Sequence, residues 1–105
     1  MTQKEAEKLL KHAQNCRTDE LLNEKVLPNA YDEMVKSQDA KSLMHLIRAL
    51  YNIRNERAKE LRKMKSADSR MLVTARKLFY GEMAVALGMD YDEMCEELDN
   101  WLGQN

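Results

Sequence analysis

This chain is almost without proline and glycine: its 105 residues hold one Pro and three Gly. So few obligate turns, with no strand-like alternation and no internal repeat, leave little basis for a β fold. Apolar runs long enough to span a bilayer are also missing, and the opening Met1-Thr2-Gln3-Lys4-Glu5 is not a signal peptide. A soluble cytoplasmic protein is expected. Cysteine is limited to Cys16 and Cys95, without a C-x₂-C pair, and both read as reduced thiols. His12 and His45 are the only histidines, and neither stands at ligand-like spacing from a cysteine. Zinc motifs, H-E-x-x-H and glycine-rich phosphate loops are absent, and Asp90, Asp92 and Asp99 do not follow a calcium-loop pattern. The sequence therefore predicts no enzyme, no metal and no cofactor. Exposed carboxylate pairs such as Asp92/Glu93 and Glu96/Glu97 read as solvation.

Charge is present in quantity and sorted by position. The charged fraction is 33% and the net charge only −1, yet residues 41–80 hold eleven Lys/Arg against three Asp/Glu. Residues 81–105 hold seven Asp/Glu and no Lys/Arg. A polyanion meets a local surface and not an average, so nucleic acid is a candidate partner despite the acidic balance. The same pattern also suits two halves of one domain attracting each other.

Leu, Met, Tyr and Ala are interspersed regularly enough to exclude disorder, and 105 residues suffice for one domain with one core. Thr2 with Glu5 forms a T-x-x-E box opening a helix striped by Ala6, Leu9, Leu10 and Ala13, with a break at 15–18. Thr18 can cap a segment holding Leu21 and Leu22, which Pro28 interrupts; a short helix is expected from about Pro28 to Lys36. Ser37-Gln38-Asp39 reads as turn and cap. From there Ala40, Leu43, Met44, Ile47, Leu50, Tyr51, Arg54, Ala58 and Leu61 form the inner face of a long helix. Ser66 is the expected cap of the next, lined inside by Met71, Leu72, Ala75, Leu78, Phe79, Met83, Ala86 and Leu87, with Gly88 as its left-handed stop. Asp90 and Glu93 open the last helix between Met89 and Met94 as a staple. Leu98, Trp101 and Leu102 continue its apolar face, and Trp101 reads as a core or interface anchor. Tyr31, Tyr51, Phe79 and Tyr80 read as packing residues, Tyr80 partly exposed. The predicted fold is all-α, a compact irregular bundle of about five helices in a single domain over 1–105.

The opposite face of the long helix reads Lys41, His45, Arg48, Asn52, Asn55, Lys59, Arg62, a set spaced by three or four without an acid. Lys41, Arg48, Lys59 and Arg62 could meet phosphates while Asn52 and Asn55 bond to backbone or groove edges. Arg70, Arg76 and Lys77 on the next helix could extend that surface. The alternatives are a protein contact, or ion pairs with the acidic tail worth about 0–1 kcal/mol each when exposed.

Ser66 to Gly88, with Arg70-Met71-Leu72-Val73-Thr74-Ala75-Arg76-Lys77 at its centre, resembles the late helix of the CarD/CdnL family of bacterial transcription regulators. Ser37-Gln38-Asp39 resembles that family's S-G-D turn, and Leu46-Ile47-Arg48-Ala49-Leu50-Tyr51 its V-V-R-x-L-[YW] stretch. The resemblance implies the C-terminal helical domain of a regulator that contacts promoter DNA and helps stabilise the RNA polymerase–promoter open complex. It implies a polymerase contact made through an N-terminal Tudor-like domain, which this sequence does not contain. The chain is accordingly expected to be an excised domain or a standalone relative, its start at the domain edge favouring the former, and its own DNA binding is expected to be weak. One departure stands out. The family places a DNA-wedging Trp followed by basic residues before the S-G-D turn, whereas Asn23 to Tyr31 holds no Trp and only Lys25. A protein-interaction domain without direct DNA binding is the alternative this departure raises.

Overall fold

The computed structural model describes residues 2–14, 31–36 and 39–103. Five helices lie among them: α1 (Gln3–Gln14), α2 (Tyr31–Lys36), α3 (Ala40–Lys59), α4 (Ser66–Leu87) and α5 (Tyr91–Leu102). No strand occurs among the described residues, so the class is all-α, an irregular helical bundle. The expected second segment around Leu21 and Leu22, and the start of the short helix at Pro28, lie outside the described residues.

Local signals set most of the boundaries. The Glu5 amide donates to Thr2 Oγ1 at 3.2 Å while the Thr2 amide reaches Glu5 Oε2 at 3.5 Å, the reciprocal box that satisfies two orphan donors. Asp39 caps α3, its Oδ2 accepting from the Ser42 amide at 3.3 Å and the Ser42 hydroxyl at 2.8 Å. Helix α4 begins one residue earlier than a Ser66 cap would place it: Lys65 holds the extended cap position without a side-chain bond, and Ser66 is the first helical residue. Asp90 likewise occupies the cap of α5 without a side-chain capping bond, although Met94 is buried and Met89 packs on the core as expected.

Helix α3 is the spine. It packs against all four other helices, most extensively against α4. Leu43, Met44, Leu46, Ile47, Ala49, Leu50 and Tyr51 are all buried, so this part of α3 has no solvated side. Leu72, Ala75, Phe79, Tyr80 and Met83 of α4 meet it, and Met94, Leu98 and Leu102 of α5 close the core from the other end of the chain. Each large apolar side chain buried here contributes about 1.5–3 kcal/mol relative to exposure. Tyr80, expected partly exposed, is fully buried, whereas Leu78, expected inside, is 42% exposed. Trp101 sits at the rim at 36% exposed.

Helices α3 and α4 end in the same way with different residues. After α4 the Met89 amide bonds to the Ala84 carbonyl at 2.9 Å and Gly88 adopts φ 66°, the left-handed stop that costs glycine nothing. After α3 the Arg62 amide bonds to Arg57 at 2.8 Å, the Leu61 amide to Ala58 at 3.1 Å, and Leu61 carries φ 58°. Leu61 was expected on the inner face of α3; it lies beyond the helix and is 96% exposed. The apolar period runs on past the point where the backbone turns out.

Candidate nucleic-acid interface

The structure divides the acid-free face of α3 into parts with different fates. Arg48, expected to be solvated, is 4% exposed, and its Nη1 donates to the Leu102 carbonyl at 2.8 Å. Asn55 Nδ2 donates to the Gly103 carbonyl at 3.2 Å. Both side chains therefore satisfy carbonyls at the end of α5, where the helix leaves acceptors unpaired and carries its negative pole. Asn52 is half-buried on the same side. This stretch of the face meets the C-terminal end of a helix, where an acid would be unfavourable. Gly103 fits closely there: a Cβ would stand 2.7 Å from the Asp99 carbonyl oxygen.

Arg76 is committed in a similar way. Its Nη2 lies 2.6 Å from Asp99 Oδ2, while Asp99 Oδ1 accepts from the Tyr51 hydroxyl at 2.7 Å and the Tyr80 hydroxyl at 2.8 Å. The Arg76 guanidinium also lies over the Tyr80 ring, 5.2 Å from its centroid. Burial first, then the bond to Asp99, pushes the Tyr51 phenol up to about 12. Tyr80 moves in the same direction, again chiefly through burial. One carboxylate thus joins α3, α4 and α5. Here the basic middle and the acidic tail do compensate each other.

Of the candidate contact residues, Lys41, Lys59, Arg62, Arg70 and Lys77 are exposed. Lys41 is set apart: eighteen positions before Lys59 on α3, it lies ~27 Å away along the axis and borders α1 beside Glu5, Lys8 and His12. The rest gather at one end. Lys59 closes α3, Arg62, Lys63 and Lys65 follow in the turn, and Arg70 and Lys77 stand on the outer face of α4 with Val73 and Thr74. Lys63 and Lys65 did not enter the face read from the sequence because they lie outside its helical period. A shallow open groove lined by Met64, Ser66, Ser69, Arg70, Val73 and Thr74 runs beside the turn. Arg57 braces this segment, its Nη1 donating to the Lys63 carbonyl at 3.2 Å. Arg62 lies 3.5 Å from Glu60 with both side chains mostly exposed, a weak pair in water.

Behind the turn a second cleft is lined by Tyr31, Glu56, Arg57, Glu60, Lys65 and Asp68 among others. The Tyr31 hydroxyl is buried there without a hydrogen-bond partner, and burial, then Asp68, raises its pKa. Acids and bases alternate around this cleft, so it offers no field of one sign. Among the described residues no group of three or more His, Cys, Asp or Glu is placed to hold a metal, and Cys95 is a free thiol. None of the helices described is long and apolar enough to cross a membrane.

The described residues form an all-helical module with exposed cations clustered at the turn after α3 and along the outer face of α4. The chain belongs to the family described as "CarD, C-terminal domain", whose pattern matches residues 8–99. It is a transcription-related, non-catalytic regulatory domain. No curated protein and no solved structure matches the chain.

Proposed function

We propose that this domain contacts promoter DNA beside RNA polymerase and helps hold the open complex, without catalysis. The reading rests on the exposed cations at Lys59, Arg62, Lys63, Lys65, Arg70 and Lys77, which remain available after Arg48, Asn55 and Arg76 are engaged inside the fold. From Ser66 to Lys77 the surface extends ~17 Å along α4, a length of about five base pairs. The Ser66 and Ser69 hydroxyls along it suit phosphate oxygens, which position a protein without reading sequence, whereas Thr74 donates its hydroxyl to the Arg70 carbonyl. Polymerase recruitment is taken to lie with an accompanying domain, and the negative charge of the acidic tail lowers long-range attraction, so the affinity of the isolated module for DNA is weak.

The test is binding of the full chain to a forked promoter fragment across a salt series, with wild type beside R62E/K63E/R70E. Each lost phosphate contact lowers the slope of log K against log salt by about 0.9. Equal slopes for the two proteins would remove the electrostatic basis of the proposal. Arg48 is unsuitable for such a series because its replacement disturbs the core. A protein-contact reading draws on Val85 near the end of α4 and on Tyr91 and Trp101 of the acidic α5, all exposed apolar side chains. Capture by polymerase that is indifferent to promoter DNA would favour it.

A further inference from the structure

Helices α2, α3 and α4 converge on the cleft behind the basic turn, and its two most buried polar side chains come from different helices. Tyr31 of α2 is 5% exposed, and its hydroxyl has no hydrogen-bond partner. Asp68 of α4 is 9% exposed and takes part in no ion pair among the described residues. Leaving a buried hydroxyl unsatisfied is costly, and in a folded protein such a group calls for an explanation, an absent ligand among them.

The rest of the lining specifies what such a ligand would be. Ile53 of α3 adds apolar surface, while the more exposed Arg57 and Lys65 add positive charge. Glu60 and Arg62 stand 3.5 Å apart and largely answer each other. Acids and bases are equal in number among the described lining residues, so neither a polyanion nor a polycation matches the cleft. Its buried end offers a carboxylate and a phenol oxygen, which suit a cation with several N–H donors. Its outer cations suit a carboxylate: Arg57 uses Nη1 on the Lys63 carbonyl, and a guanidinium has further donors. The volume, about 330 Å³, is at the small end of the ~300–1,000 Å³ of ligand pockets, which limits the occupant to a small molecule.

We propose that this cleft binds a small zwitterion of the amino-acid class. Its primary ammonium lies at Asp68 and the Tyr31 hydroxyl, its carboxylate at Arg57 and Lys65, and its carbon chain along Ile53. The site opens behind the turn and not on the outer face of α4, so the inference does not depend on the DNA reading.

The test follows amide chemical shifts of the isotopically labelled full chain. It is titrated with L-alanine and 4-aminobutyrate, beside putrescine, which carries ammonium groups alone, and glutarate, which carries carboxylates alone. At least one zwitterion should shift the amides of Ile53, Arg57 and Asp68 saturably while those of α5 stay in place. Putrescine and glutarate should bind roughly tenfold more weakly or not at all, since each leaves one end of the cleft unmatched. Asp68→Asn should weaken zwitterion binding roughly tenfold and Tyr31→Phe several-fold. Tyr31→Phe also removes the unsatisfied hydroxyl, so it should melt no lower than wild type, and its weaker binding is then not a loss of folding. If neither zwitterion shifts these amides, or if putrescine or glutarate binds as well, the proposal is wrong. A Tyr31→Phe protein that melts lower yet binds as wild type does would give the hydroxyl a role in the fold alone, and would overturn it equally.

Discussion

Asp99 gives its side chain to three donors at once, and pH exposes what that arrangement is worth. Both tyrosines facing it hold their protons more tightly in the folded chain, Tyr51 to about 12 against an ordinary 10.0. Below pH 10 the phenols are protonated in both states, and their contribution to stability is complete. Above it the unfolded chain releases its protons first. Stability then falls by up to about 1.4 kcal/mol per pH unit for each tyrosine until the folded pKa is passed. Urea unfolding from about pH 9 to about pH 12 should show this decline, and Tyr51→Phe should make it shallower. An identical slope in the variant would mean that the fold, through burial and Asp99 together, does not raise the Tyr51 pKa. Sequence could identify these side chains as packing residues but not join them, because 48 positions separate Tyr51 from Asp99.

Among the elements, much of what depended on neighbours in sequence was legible, although Ser66 proved to be the first residue of α4 and Asp90 caps α5 without a side-chain bond. Thr2 with Glu5, Asp39 as a cap, and Gly88 after α4 each act within a few residues, and each stands where the sequence implied. The end of α3 was not legible, since a leucine in register with the apolar stripe occupies a position that glycine would have marked. Nor was the fate of Arg48, since helical period tells which residues share a face and not what that face meets. The end of α5 is fastened by Arg48 and Asn55, and this makes a prediction at the scale of a helix. Arg48→Ala leaves the buried Leu102 carbonyl without its donor, at a cost of about 1–3 kcal/mol. The loss should be concentrated in α5. Amide exchange at Leu98 to Gly103 should accelerate well before that of Ile47 to Tyr51. Uniform acceleration across both segments would instead make Arg48 a general core residue.

Over the whole molecule, charge is partly cancelled and partly segregated. Arg76 and Asp99 neutralise each other at the seam between α4 and α5, while the turn after α3 stays basic and the outer residues of α5 stay acidic. Under the proposed function, such a chain is drawn to DNA by one end and opposed by the other, and the opposing acids touch no phosphate. Their removal should therefore change the strength of binding without changing the number of ions released. Glu82 and Glu96 are suitable, being exposed and outside the first helical turns where acids favour the helix dipole. E82Q/E96Q should bind duplex DNA several-fold more tightly at low salt, mostly through faster association, and converge with wild type as screening shortens the Debye length to ~8 Å. The phosphate contacts themselves should be unaltered. Loss of Arg62, Lys63 or Arg70 should act in the opposite way, reducing the count of released ions as well as the affinity. If the glutamate substitutions left low-salt association unchanged, the acidic end would have no part in how the domain approaches DNA.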